Sequence, residues 1–201
     1  MKQKANKPFG EVIESSLQSF TAQTWQWDDF PAYGSLVSIE QPHGTSIGLV
    51  YEVSTGSIDP SRSPFAYQKT EQELKKEQPQ IFEFLKTTFS CITLGSIVQE
   101  RCHYTAPSHP AKIHSFVTHT NSTISYQFLA RPLWIQRLFA LGGIVANVDE
   151  LLLAIFAQQN KEQFFDAQKL QDMMQTYSLL TGNDYRRIKL FLGRAAPFIS
   201  Q

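Results

Sequence analysis

Between Gly10 and Phe128, short runs carry apolar side chains at every second position, separated by breaks that hold glycine, proline and aspartate. No other feature constrains the fold as strongly, because a period of two sends alternate side chains to opposite faces of a strand. In SIGLVYEV, Ile47, Leu49, Tyr51 and Val53 fall on one face, with Gly48, Val50 and Glu52 on the other. YGSLVSIE repeats the pattern with Val37 and Ile39, and TLGSIVQE and TISYQFLA follow it. Leu94 with Val98, and Ile124 with Tyr126 and Phe128, are the expected inward positions. Turns are expected at Asp28-Asp29 with Pro31, at Pro42-His43-Gly44 and from Gly56 through Pro60. Many short strands with regular turns predict a closed or partly open antiparallel β-barrel, since closure removes exposed edges. Gly34, Gly48 and Gly95 lie within or beside strands, where a missing Cβ permits sharp coiling.

A helical insertion is expected at about residues 70–88. Glu71 stands four residues before Lys75, a helix-supporting pair, and Pro79 can open a second helix carrying Ile81, Phe82 and Leu85. After Arg131 the pattern becomes helical and stays so. Asn147 with Glu150 resembles a capping box, and Ala167, Leu170, Met174 and Tyr177 recur at helical spacing until Gly182. A last helix is expected from about Asp184 toward Arg194, with Pro197 beyond its end. The predicted class is α+β: a flexible tail over 1–7, a barrel over 8–130 and a helical bundle over 131–201.

Composition excludes more than it assigns. Eighteen basic residues balance eighteen acidic ones, so no global field attracts a phosphate backbone or an anionic membrane. Cys91 and Cys102 are too few for a disulfide framework and read as buried thiols in a reducing compartment. The basic amino terminus lacks the apolar run of a secretory signal, so a cytoplasmic location is expected. PLWIQRLFALGGIVANVDELLLAIFA is interrupted by Arg137, Asn147, Asp149 and Glu150, whereas a membrane span needs roughly 20 apolar residues in a row. His103, His109, His114 and His119 lie near Cys102. Their spacing is wide for zinc, and on a strand His114 and His119 would point to opposite faces. No nucleophile elbow is present. The expectation is no catalytic residue, no cofactor and no metal.

The order FGEVIESS, AYGSLVSIE, IGLVYEVSTG, then ELKKEQPQIFEFLKTTFSCITLGS and APSHPAKIHSFV, resembles the HAS-barrel, the barrel domain of HerA-type helicases and ATP synthase subunits. DELLLAIFAQQ and LTGNDYRRIKLFLGRAAPF are similar to the helical stretch after the barrel in HerA-type proteins, so the resemblance covers nearly all of the chain after residue 7. It implies a barrel that makes protein contacts, between subunits or with partners, beside an ATPase core. This chain departs from that pattern. No phosphate-binding glycine loop ending in lysine is present, and STGSIDPSRSP lacks the lysine. The resemblance therefore implies a stand-alone, non-catalytic form that keeps the docking surface, and an oligomer is compatible with it.

Two groups of side chains are candidate contacts. Trp25 and Trp27 flank Gln26 and share a face in an extended chain, next to Phe30. They either plug one end of the barrel or anchor a partner. Stacking on single-stranded nucleic acid is a third use, opposed by Asp28 and Asp29. Arg186, Arg187, Lys189 and Arg194 form a possible basic patch. The expected function is a non-enzymatic interaction module docking onto another protein, such as an ATPase or a nucleic-acid-processing assembly. A nucleic-acid-binding barrel is the alternative.

Overall fold

A computed structural model describes residues 7–59, 61, 64–160 and 166–199. The expected tail over 1–7 lies outside these residues except for Lys7. Seven strands form one antiparallel sheet: β1 (Gly10–Ser15), β2 (Ser19–Thr24), β3 (Leu36–Gln41), β4 (Gly44–Ser57), β5 (Leu85–Val98), β6 (Arg101–His103) and β7 (Phe116–His119). The order is β2-β1-β7-β3-β4-β5-β6, and an additional pairing of β2 with β5 closes six of the strands into a barrel. β6 is a short hairpin extension of β5, paired Ser96 to His103 and Val98 to Arg101.

The barrel closes because its strands bend at bulges and at missing side chains. Register shifts fall between Val12 and Glu14, between Ile47 and Gly48, and between Val50 and Glu52. Each adds local twist. At Gly48 a Cβ would stand 2.6 Å from the Phe20 ring inside the barrel, and at Gly95 a Cβ would stand 2.0 Å from the His103 carbonyl oxygen. Gly34, at φ +81°, leads into β3. The alternation read from the sequence thus places strands correctly over YGSLVSIE, SIGLVYEV and TLGSIVQE, but Val53, expected on the face of Ile47, Leu49 and Tyr51, packs against the interior core because the bulge at Tyr51 switches the faces. Gly56 belongs to β4 rather than to the expected turn, and Pro60 lies outside the described residues.

Among the described residues, six helices accompany the barrel: α1 (Glu71–Glu77), α2 (Ser122–Leu129), α3 (Leu133–Ala140), α4 (Val148–Asn160), α5 (Ala167–Leu180) and α6 (Tyr185–Ile199). α1 and a following 3-10 turn, Pro79–Phe84, are the expected insertion; residues 85–88 already belong to β5. Thr70 and Glu73 cap α1 reciprocally, and Lys75 pairs with Glu71 at 2.6 Å.

TISYQFLA is a helix, not a strand. Ile124, Tyr126 and Phe128 alternate, but Ile124 and Phe128 are also four residues apart, a spacing shared by both periods. Asn121 decides between them: its side chain accepts from Ile124 N at 2.8 Å and starts α2. Phe128 is fully buried, whereas Tyr126 is exposed and lies beneath the Lys169 ammonium at 4.1 Å. Two smaller corrections concern helix ends. Asn147 caps α4 by accepting from Asp149 N and Glu150 N, but Glu150 turns to Arg194. Pro197 lies inside the last turn of α6, where its missing N–H removes one hydrogen bond.

Two cores result. Inside the barrel, Phe9, Val12, Phe20, Val37, Val50 and Phe89 pack with Cys91 and Val117. Outside it, Leu36, Ile47, Leu49, Ile92 and Leu94 from β3, β4 and β5 pack against Phe128, Trp134, Leu138, Ile155 and Tyr177 of the helices. Leu94 therefore faces the helical layer, not the barrel interior. Trp134 is fully buried. Each such side chain contributes about 1.5–3 kcal/mol by leaving water. Val98 is half-buried.

Candidate docking surface on the barrel wall

Among the described residues, the buried strand residues of the outer core come from β3, β4 and β5, and none comes from β2, β1 or β7. Pairing of Glu11 with Gln23 and with Phe116 places these three side chains on the outward wall of β2, β1 and β7. Trp25 follows β2 in the same register, its N–H donating to the Phe9 carbonyl at 3.0 Å. Its ring meets Phe116 edge-on, centroids 5.4 Å apart at 88°. Its Nε1–H donates to Glu11 Oε1 at 3.1 Å, and the other carboxylate oxygen lies 3.1 Å from His114 Nδ1.

Half of this apolar surface meets solvent: Trp25 is 49% exposed, Phe116 55%, Ile113 49% and Ile13 45%. A cavity of about 320 Å³ opens beside Trp25, between Phe9, Asp29 and His119. His119 is stacked on Phe9 at 4.3 Å, and burial holds its imidazole below the ordinary range, opposed by the charge of Asp29.

The two expected tryptophans do not act together. The chain turns after Trp25, with Thr24 Oγ1 donating to Gln26 O at 2.7 Å and Asp29 N to Gln26 O at 3.2 Å. Trp27 then stacks on Phe82 at 5.6 Å and ties the helical insertion to the barrel. Neither tryptophan is among the interior-core residues: Trp25 is half-exposed and Trp27 packs against Phe82. Phe30 is 46% exposed. The missing partner in the sequence reading was Phe116, whose only local signal is its alternation with the buried Val117.

The four basic residues of α6 divide. Arg187 makes a bidentate pair with Asp149, at 2.9 Å and 2.8 Å, and Arg194 pairs with both carboxylate oxygens of Glu150. Arg186 and Lys189 are exposed. Among the described residues, no three His, Cys, Asp or Glu side chains converge as metal ligands. His114 sits in a turn at φ +67° before β7, and the rings of His43 and His109 are 6.4 Å apart. Burial pushes the Cys91 thiol well above its ordinary range, which disfavours a thiolate. Cys102 is only partly buried: it packs against the outer core from β6, its Sγ 3.7 Å from the Gln127 carbonyl. Among the described residues no helix is long and apolar enough to cross a membrane. A scan of the chain against protein-family models finds no match, and a search of curated proteins finds no similar sequence.

Proposed function

We propose that this chain is a non-enzymatic, cytoplasmic docking module, a relative of the HAS-barrel that is gripped by another protein of the ATPase or nucleic-acid-processing kind. The observation that carries this reading is the Trp25–Phe116 pair, held edge-on and half-exposed beside strands that lend the outer core no buried residue among the described residues. Large rigid aromatics of this kind dominate interface energetics. Their positions are fixed before binding, Trp25 by Glu11 and Phe116 by pairing of β7 with β1, so little order is lost on association. A six-stranded closed barrel followed by helices is compatible with the HAS-barrel resemblance.

The test compares the wild-type chain with a Trp25→Ala/Phe116→Ala variant as bait in native lysate, followed by titration of the purified partner. A stoichiometric partner should bind the wild type, and the variant should bind it about thirtyfold or more weakly, the loss expected for an interface hot spot. Recovery of no stoichiometric partner, or equal binding by the variant, refutes the assignment. Nucleotide turnover by the purified chain refutes its non-enzymatic part.

A further inference from the structure

The ribbon made by the second half of β4 and the first part of β5 continues past the end of β3. On its β3 side, β4 is paired from Gly44 to Leu49, and the last bonds there are Val50 N to Ser35 O at 3.0 Å and Gly34 N to Val50 O at 2.9 Å. From Glu52 to Ser57, β4 is paired with β5 alone.

Bonded and non-bonded residues alternate along an antiparallel pair. Ile58 N donates to Phe84 O across the ribbon at 2.8 Å, which puts Gly56, Ser54 and Glu52 in the set bonded to β5. Val53, Thr55 and Ser57 therefore turn their N–H and C=O groups away from β5. The bulge at Tyr51 gives the same parity, because it moves the outward position from Val50 to Val53 in an odd step. Among the described residues, no backbone or side-chain group bonds to these outward groups. Natural edges are blunted by lysine, proline or a covering element. EVSTGS, from Glu52 to Ser57, holds no lysine and no proline, and Ser54 and Thr55 are exposed.

A cavity of about 610 Å³ opens at the end of this edge, beside Ser57 and Leu85, with walls that include Leu74, Ile81, Phe84 and Phe65. Among the described residues, none of its lining side chains is charged. α1 and the 3-10 turn contribute no buried residue, so these apolar side chains belong to neither core. Phe65 is 69% exposed.

We propose that β4 from Val53 to Ser57 is a strand-addition site for an extended segment of another polypeptide, with one of that segment's apolar side chains entering the cavity beyond Ser57. The chemistry of the site selects the occupant. Alternating N–H and C=O groups at strand spacing are matched by another extended main chain, and an uncharged lining takes an aliphatic or aromatic side chain. Main-chain pairing supplies affinity and the cavity supplies specificity. This site is separate from the Trp25–Phe116 wall, and its test stands whether or not that wall binds a partner.

Random heptapeptides displayed on phage are selected on the immobilised full chain, and the enriched sequences are synthesised and titrated by fluorescence anisotropy. The expected sequences are extended, with a recurrent apolar residue near one end. Thr55→Pro removes an outward N–H without breaking the β4–β5 ladder, and should weaken binding by about tenfold or more. Thr55→Val loses the same hydroxyl contact to Thr87 but keeps the N–H, and should bind as the wild type does. Phe65→Ala should bind without the preference for the apolar residue. Absence of enrichment, or equal binding by Thr55→Pro, overturns the proposal.

Hydrogen exchange gives an independent reading, and decides alone if Thr55→Pro fails to fold. The amides of Val53, Thr55 and Ser57 should exchange rapidly in the unliganded chain and slow when peptide is bound. Protection already present in the dilute chain, or a dimer that protects them and is lost in Thr55→Pro, overturns the proposal by showing the edge covered from within or by a second copy.

Discussion

Gly95 stands where two strands come too close for a side chain. A Cβ there would lie 2.0 Å from the His103 carbonyl oxygen, which belongs to backbone and cannot swing aside. Gly95→Ala should therefore destabilise the chain by about 1–3 kcal/mol in urea unfolding, the range for forced overpacking, and detach β6 first. His119 sets a different dependence. Burial lowers its pKa from 6.5, with Asp29 acting in the opposite sense, so the folded chain binds the proton less tightly than the unfolded chain. Stability from this group is complete above the unfolded value and is lost as pH falls through the lowered one. The urea midpoint should fall as pH drops below about 6.5, and His119→Gln should flatten that part of the slope.

At the scale of elements, α6 is held to the start of α4 by two arginine–carboxylate pairs, above the apolar contact of Phe191 with Phe156 and Tyr177. The Arg187–Asp149 pair is partly exposed, so solvent screens it. Arg187→Ala should cost about 0.5–1 kcal/mol at low salt, measured by thermal or urea unfolding, and less at high salt. β3, β4 and β5 were legible in the sequence because glycine and period-two alternation mark them together, whereas the short β1, β2, β6 and β7 were not singled out. α2 was not legible either, since its Ile124 and Phe128 satisfy both periods and the deciding signal was the cap at Asn121. The face of Leu94 was hidden for another reason. Both faces of β4 and β5 are buried, so alternation names two faces but does not say which one looks into the barrel. Pairing of Trp25 with Phe116 rests on β7 entering beside β1, a long-range event that local pattern does not encode.

For the whole molecule, the outward faces of β3, β4 and β5 and the helical layer form one continuous core. A fragment of residues 1–121 would leave Leu36, Ile47, Leu49, Ile92 and Leu94 in water. It should bind hydrophobic dye and unfold without a sharp transition, whereas the full chain should unfold in one cooperative step followed by circular dichroism. Two separate transitions in the full chain would contradict a shared core. β7 has a further consequence for how the chain is made. β1 and β3 meet only through this four-residue strand, which is synthesised long after both. Until Phe116–His119 emerges from the ribosome, the nascent polypeptide carries a cylinder with one stave missing, and its greasy lumen lies open to chaperones and neighbouring chains.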